Sequence, residues 1–479
     1  MTAHRCVMVI VMAATAAGCA SAPQVRQPEV GVAVPAQWTA PVETGPAQPV
    51  WWRQFGDPAL ESLIAEALEG NRDLRAAAAR VDAAAALARV AGADRYPTAG
   101  AGFNAARRRQ NFIGLPIPGA EDRVLSTEVT TYGVAIDTSW EADVWGRIRS
   151  GVAASLADAE AARFEEGAAR LSLAAQTARA WFALIEARQQ LRLAEDTVRS
   201  YRTTAGQVRQ RYERGLRPPV DVRLTLSNLH SAEALQAQRR DQYRRVLRQL
   251  ELLLGRYPAG AYEAPDSLPA LPRAVPAGLP AELLSRRPDL RAAERRIAAA
   301  DARLVADRRA LYPAFALTGS SGITTNALRR LLDGDFSVWS LVGSVTQPIF
   351  QGGRLRARVD VSDAAAREAL ELYAGRLLGA FGEVETALDA QASLQQRADR
   401  LAEAADQAVA ARALAEQRYG SGLDTILGVL EAQRRQLETE SQLLTVRRLQ
   451  LDTRVDLHLA LGGDFDDPAA APAGGISED

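Results

Sequence analysis

The sequence predicts a mainly α-helical, elongated protein made of two copies of one unit, each with two β-strands inserted between its helices. Three observations predict this fold class. Two long windows, between Pro118 and Pro218 and between Pro348 and Pro468, contain no proline and are rich in residues that favour helices. Short motifs recur at constant spacing in the two halves of the chain. Between the predicted helices, apolar residues change from helical spacing to alternation.

The internal repeat fixes the order of the elements. Residues 73–77 recur at 289–293, an offset of 216, whereas residues 146–149 match 353–356, an offset of 207. The two offsets differ by nine residues, so the first copy is nine residues longer in the segment between the two motifs. We assign it to a surface loop over residues 107–123, which is rich in Gly and Pro. Each copy is therefore predicted to contain a helix, two strands, a very long helix, a tight turn and a long helix.

The predicted helix lengths indicate how the helices pack. A helix over residues 146–214 would be ~100 Å long, and helices over 71–95 and 220–254 would together be ~90 Å long. The simplest packing that covers the apolar side of the long helix stacks the two shorter helices end to end beside it. The repeat then gives two such groups of three helices.

Four strands are predicted, at residues 98–107, 132–141, 314–323 and 337–349. Strands of about 9 to 11 residues can cross a bilayer when they are tilted. A transmembrane barrel needs at least about eight strands, and open sheet edges are not tolerated in lipid. If these strands enter a membrane, several chains must therefore associate. A soluble pair of hairpins packed on the helices remains the alternative.

Composition and charge exclude several function classes. The net charge is −1, so no bulk attraction to nucleic acid is expected. Two cysteines are too few for a disulfide framework or a cysteine metal site. Beyond the N-terminal segment the only histidines are His230 and His458, each alone within a predicted helix. We therefore expect no enzymatic activity, no metal site and no cofactor apart from a covalent lipid.

That lipid is expected on Cys19. Residues 1–18 are typical of a bacterial lipoprotein signal peptide, and residues 16–19, Ala-Ala-Gly-Cys, resemble a lipobox. Residues 19–56 would form a lipidated, extended N-terminal segment, and 463–479 a disordered tail. Ordinary signal-peptide cleavage after an Ala-rich stretch is the alternative.

Several motifs together resemble a known family. The most specific is GLPAELLSRRPDLRAAE at residues 278–294, which continues to Tyr312-Pro313. Trp51-Trp52 and the segment from Trp140-Glu141 to Gly146-Arg147 add to the likeness. Over nearly the whole mature chain, the sequence resembles the TolC/OprM family of outer-membrane efflux proteins, in the lipoprotein branch that includes NodT-like proteins.

The resemblance implies a homotrimer in the cell outer membrane. Twelve strands, four per protomer, would form one transmembrane barrel in outer-membrane lipid. The helices would form a long antiparallel α-helical barrel in the periplasm. Residues 57–255 and 256–462 would be the two repeats, and residues 256–288 would be a linker in an equatorial belt.

The resemblance also implies a functional site at the turns over residues 212–221 and 419–431. Asp221 and Glu431 would line a pore constriction, and Tyr419 is a candidate gate residue that bonds to Asp221. Gly215 and Gly422 would lie at the tips that contact an adaptor. Converging carboxylates would attract cations. Asp221 follows two prolines, so stabilisation of a helix N-terminus is an alternative or additional role.

The implied function is a passive exit duct for drugs or other small molecules. An inner-membrane pump, of the RND type by resemblance, would deliver them through a periplasmic adaptor, a membrane fusion protein. The same architecture would serve a type I protein secretion system, which is the first alternative. A periplasmic coiled-coil adaptor or scaffold lipoprotein is the second. That class would lack paired membrane strands and would carry a compact β-rich module.

Overall fold

The computed structural model describes residues 31–39, 50–112, 124–273, 275, 277–278 and 280–463 of the 479-residue chain. The predicted signal peptide, Cys19 and the tail after Gly463 lie outside the described residues. Among the described helices, none combines the length and apolar composition needed to cross a membrane.

The two halves of the chain have the same element order. After a short 3-10 helix at Trp51–Phe55, the first half contains α1 (Pro58–Gly70), α2 (Arg72–Ala93), β1 (Thr98–Phe112), β2 (Leu125–Ala142), α3 (Arg147–Glu213) and α4 (Pro219–Leu253). The second half contains α5 (Leu283–Arg286), α6 (Pro288–Arg309), β3 (Ala314–Thr325), β4 (Ser337–Thr346), α7 (Arg354–Gly420) and α8 (Ile426–Ala460). The mainly helical prediction with four strands is confirmed.

Corresponding helices have equal lengths. Helices α2 and α6 each contain 22 residues, α3 and α7 each contain 67, and α4 and α8 each contain 35. At the usual rise, α3 and α7 are each ~100 Å long. Helices α2 and α4 pack against α3, while α6 and α8 pack against both long helices. The shorter helices meet end to end at two places, which we call the belt junctions.

The first belt junction is between α4 and α2. The Asn71 side chain accepts hydrogen bonds from the backbone N–H groups of Asp73 and Leu74, and thereby caps the start of α2. Its Nδ2 donates to the carbonyl of Leu253 at 2.9 Å, at the end of α4. Gly255 adopts a φ of +74°, and a Cβ there would lie 2.4 Å from a backbone oxygen, so only glycine fits.

The second belt junction, between α8 and α6, repeats this design with different residues. Arg287 Nη1 donates to the carbonyl of Ala460 at 3.0 Å, and Ala460 is the repeat equivalent of Leu253 at the offset of 207. Gly462 has a φ of +91°, and a Cβ there would lie 2.8 Å from the carbonyl carbon of Arg286. Each pair of shorter helices therefore forms one continuous layer beside the long helices.

The four strands form one antiparallel sheet in the order β1-β2-β3-β4. The register places the large apolar side chains on one face, with Phe103 opposite Val134 and Trp140 opposite Leu317. The other face carries mainly small and polar residues, such as Asp137. Every residue of β1 and β4 is exposed. The apolar face is therefore uncovered in a single protomer, and we name it the apolar sheet face.

The strand limits differ from those predicted. Strands β1 and β2 extend to Phe112 and from Leu125, so residues 107–112, predicted as loop, are paired strand. These six residues contain neither Gly nor Pro, which begin at Gly114, and that absence explains the correction. Strand β4 ends at Thr346 instead of 349, two residues before Pro348, which lacks the N–H that a strand needs.

The belt also contains a buried histidine. His458 of α8 stacks on Trp51, with ring centroids 5.3 Å apart. Burial, and secondarily the charge of Arg454, lowers the pKa of His458 to about 3. The other predicted lone histidine, His230, is exposed and pairs with Glu233. Neither histidine belongs to a group of potential metal ligands within the described residues.

The buried histidine predicts a pH-dependent stability. His458 titrates near 6.5 in an unfolded chain but only near pH 3 when folded. Below pH 6.5 the unfolded state therefore binds one more proton, and His458 lowers the unfolding free energy by about 1.4 kcal/mol per pH unit down to pH 3. His458→Phe, which retains the stacking, removes this contribution. Thermal unfolding of both proteins between pH 8 and pH 4 should show the variant gaining relative stability on acidification. A constant difference would contradict the prediction.

Candidate functional site at the helix turns

The two turns between long helices have the same backbone geometry. Gly215 and Gly422 adopt left-handed φ values of 72° and 79°. After α3, Gly215 N donates to the carbonyl of Tyr212 at 2.8 Å, and Leu216 N donates to that of Arg211 at 2.9 Å. The corresponding distances after α7 are 3.1 and 2.9 Å. This is the glycine C-cap that ends a helix by satisfying its last carbonyl groups.

Each turn exposes apolar side chains that sequence-based reasoning missed. Leu216 and Leu423 are 67% and 70% exposed, and Val220 and Leu427 also face solvent. These residues form two equivalent pairs at the repeat offset of 207, which we call the apolar tip pairs. Comparing the two repeats position by position would have found them. Because apolar side chains are exposed at the same positions of both turns, these turns are candidates for a protein-contact surface.

Arginines of the first repeat bind the end of the second long helix. Arg211 of α3 donates to the carbonyls of Tyr419 and Gly420, both at 3.0 Å. Arg217 lies 3.5 Å from the carbonyl of Asp424. A cation at a helix C-terminus is favourable because the last carbonyls carry partial negative charge. We call Arg211 and Arg217 the arginine clamp.

The position of Tyr419 differs from the predicted one. Its ring is buried, and the guanidinium carbons of Arg211 and Arg217 lie 4.7 and 5.0 Å from the ring centroid. Within the described residues its hydroxyl has no hydrogen-bond partner. The bond from Tyr419 to Asp221 is therefore not formed in this protomer. The ring lies in an apolar cluster with Val208 and Ile426, and cation–π contact with the arginine clamp adds to this packing.

The two acidic candidates have different surroundings. Asp221 lies in the first turn of α4, where a carboxylate is favoured by the helix dipole. Glu431 lies in the second turn of α8, and Arg434 Nη2 contacts its two carboxylate oxygens at 2.7 and 2.8 Å. The hydrogen bond with Arg434 holds the pKa of Glu431 below its usual value. Pore lining by either residue stays a prediction.

The protomer thus defines a class: a long helical subunit with an exposed apolar sheet at one end and two tight helix-to-helix turns at the other. The chain belongs to the outer membrane efflux protein family, whose model matches residues 63–256 and 279–463. The segment between the two matches falls within the predicted equatorial linker.

Individual relatives match over nearly their full lengths. The toluene efflux pump outer membrane protein TtgF of Pseudomonas putida is 33% identical over 435 residues, which cover 90% of this chain and 89% of that protein. The outer membrane protein OprJ of Pseudomonas aeruginosa is 33% identical over 468 residues, 96% of each chain. The solved open state of the MtrE outer membrane channel of Neisseria gonorrhoeae is 30% identical, with a TM-score of 0.78 over 93% of this chain and 98% of that one.

These matches confirm the resemblance, the TolC-like fold and the predicted function class. The protein is the outer-membrane channel component of an efflux system, and the family is a transport duct. The alternative of a coiled-coil adaptor is wrong, because the chain has the paired strands and the family membership of the channel.

The arginine clamp predicts a change in gating. Arg211→Ala removes two charge-assisted hydrogen bonds, each of about 1.5–3 kcal/mol, from the end of α7. The two turns should separate more easily, and the resting conductance of the purified protein in planar bilayers should rise at least severalfold. Arg209→Ala, which changes an exposed residue of the same helix, is the matched control. Equal conductance of the two variants would contradict a gating role.

The acidic candidate Glu431 predicts a change in ion selectivity. Glu431→Gln leaves Arg434 and Arg435 without their shared partner, so a local excess of positive charge replaces an ion-pair network. If Glu431 faces the pore, the cation-to-anion permeability ratio, measured from reversal potentials in a KCl gradient, should fall. The control is Glu438→Gln, further along α8. It removes the same charge from a second carboxylate near Arg434, at 3.9 Å. An unchanged ratio and conductance would exclude Glu431 from the pore lining.

Proposed function

We propose that three copies of this chain form a passive duct through the outer membrane for drugs and other small molecules. The observation that carries the proposal is the apolar sheet face, exposed on a sheet in which the outer edges of β1 and β4 have no pairing strand within the described residues. Such edges are not tolerated in lipid unless they are paired, and four strands are too few to close a barrel. Three protomers that pair edge to edge would close a barrel of twelve strands, which has no free edge.

The dimensions of the apolar sheet face support insertion into a bilayer. From the pair Trp140–Leu317 to the pair Tyr132–Thr325 the strand covers nine residues, ~26 Å along the strand at the usual rise. Tilted strands of about 9 to 11 residues are long enough to cross a bilayer. At the helical end, Trp145 stacks near Tyr312, with ring centroids 5.4 Å apart. An aromatic cluster there fits the membrane–water interface.

The N-terminal segment supports a lipid anchor on Cys19. Trp38 is buried, its Nε1 donates to the carbonyl of Gly278 at 3.0 Å, and its ring contacts Phe381. The nineteen residues from Cys19 to Trp38 can reach at most ~65 Å. Helix α6, which runs from this belt to the sheet, is only ~33 Å long. A lipid on Cys19 can therefore lie in the inner leaflet while Trp38 stays in the belt.

The apolar tip pairs support docking of a periplasmic adaptor, which connects the duct to an inner-membrane pump of the RND type. Relatives such as the toluene efflux pump protein TtgF are named as outer-membrane parts of pumps. That name favours small organic solutes over proteins, the cargo of the type I secretion alternative. A duct of this kind needs no energy of its own, since the pump supplies it.

The docking surface predicts a specific crosslinking result. A photo-reactive residue in place of Leu216 or Leu423 should capture an efflux adaptor in intact cells, as identified by mass spectrometry. The control position is Leu332, which is 95% exposed between β3 and β4 at the opposite end of the protomer and should capture no adaptor.

The captured partner decides between the alternatives. An adaptor of an ABC protein exporter would assign the channel to type I secretion. If neither tip captures a periplasmic protein, the tips are not the docking surface.

A further inference from the structure

The hairpin of β1 and β2 projects beyond the rest of the sheet. Strand β3 ends at Thr325, which pairs with Tyr132. The pairing of β1 with β2 continues for seven further pairs, from Ala106–Thr131 to Phe112–Leu125. This extension adds ~23 Å to the hairpin. Three consecutive arginines, at positions 107 to 109, lie within it.

Strand alternation separates the three arginines between the two faces. Arg107 and Arg109 lie on the same face as Phe103, and therefore continue the apolar sheet face outward. Arg108 lies on the opposite face, which carries the small and polar residues of the sheet. In the proposed duct the first face meets lipid and the second faces the lumen.

Arg107 and Arg109 share one carboxylate. Arg107 Nη2 lies 2.6 Å from Glu128 Oε2, and Arg109 Nη1 lies 4.0 Å from Glu128 Oε1. Arg109 Nη2 also donates to Ser126 Oγ at 3.2 Å. The arginine side chains remain 73% and 65% exposed. Glu128 thus holds two guanidinium groups side by side, and the group of three side chains retains one net positive charge with free N–H donors.

The height of this pair above the apolar band is defined by the register. The band ends at the pair Ala105–Tyr132, and Arg107 and Arg109 follow two and four residues later, ~7 and ~13 Å further along the strand. The helices leave the sheet at its other end. If the helices lie in the periplasm, as the proposed function requires, the arginine pair lies just outside the hydrocarbon of the outer leaflet.

We propose that Arg107 and Arg109, held by Glu128, bind the phosphate groups of lipopolysaccharide in the outer leaflet. Two features favour this partner. The planar, five-donor guanidinium matches phosphate oxygens in a two-pronged geometry and is always charged. The pair also lies directly beyond a lipid-facing apolar band, at the level of the lipid headgroups, and anionic headgroups attract clustered basic side chains. The bound lipid would brace the projecting hairpin against the membrane.

The strand provides a matched control for the test. We would purify the wild-type protein, Arg107→Ala/Arg109→Ala and Arg108→Ala, reconstitute each in phospholipid nanodiscs, and titrate them with diphosphorylated lipid A and with its dephosphorylated form. Native mass spectrometry would report bound lipid, and thermal unfolding would report stabilisation. Wild type and Arg108→Ala should bind the diphosphorylated form alike and gain stability, whereas the double variant should bind it at least tenfold more weakly.

Three outcomes would overturn the proposal. These are equal binding by the double variant, equal binding of dephosphorylated lipid A by the wild type, and displacement of lipid A by millimolar inorganic phosphate, which would indicate a free-anion site. Because the proposal rests on the proposed function, the conductance of all three proteins in planar bilayers is measured in parallel. Conducting trimers without phosphate-dependent binding would remove only this inference, whereas failure of every protein to form channels would remove the duct itself.

Discussion

The belt junctions are the constraint on which the rest of the structure depends. A helix of 67 residues has an apolar side that no single partner of 22 or 35 residues can cover, so two shorter helices must meet beside it. Their meeting leaves the last carbonyls of one helix facing the first turn of the next, and buried carbonyls need donors. Asn71 and Arg287 supply those donors at equivalent positions of the two repeats. With the junctions formed, the four described strands lie at one end of the protomer and the two turns after α3 and α7 lie at the other.

The two belt junctions are related by the repeat but are not equally connected. Asn71 bridges only α2 and α4. Arg287 is buried and also binds Asp289 and Glu383, so that α6, α7 and α8 meet at one guanidinium. Although burial opposes ionisation of Asp289, its hydrogen bonds with Arg287 hold its pKa below the usual value. The charge needed to keep Arg287 in the belt is therefore supplied locally, which gives the Arg-Pro-Asp part of the most specific sequence motif a physical role.

Local sequence patterns predicted the elements better than the contacts between them. The helix limits were predicted within about two residues, because long windows without proline and rich in helix-forming residues allow uninterrupted helices. The extension of β1 was not predicted because residues 107–123, taken together, have the Gly- and Pro-rich composition of a loop, whereas the first of these residues is Gly114. The contact of Tyr419 with the arginine clamp was not predicted for a different reason. The two arginines belong to the first hairpin, and no local pattern of the second repeat encodes them.

The two turns differ in their contacts: the first turn binds the second through side chains for which the second has no equivalent contact among the described residues. Arg211 reaches across to the carbonyls that end α7, but its repeat equivalent, Arg418, stays within its own turn and lies 3.4 Å from Asp424. Asp424 stands where the first repeat has Arg217. Arg217 contacts the other turn, whereas the carboxylate of Asp424 binds Arg418 within its own turn. The first hairpin thus binds the second without a reciprocal contact of the same kind. A displacement of the α3–α4 turn must therefore either carry the end of α7 with it or break the hydrogen bonds of Arg211.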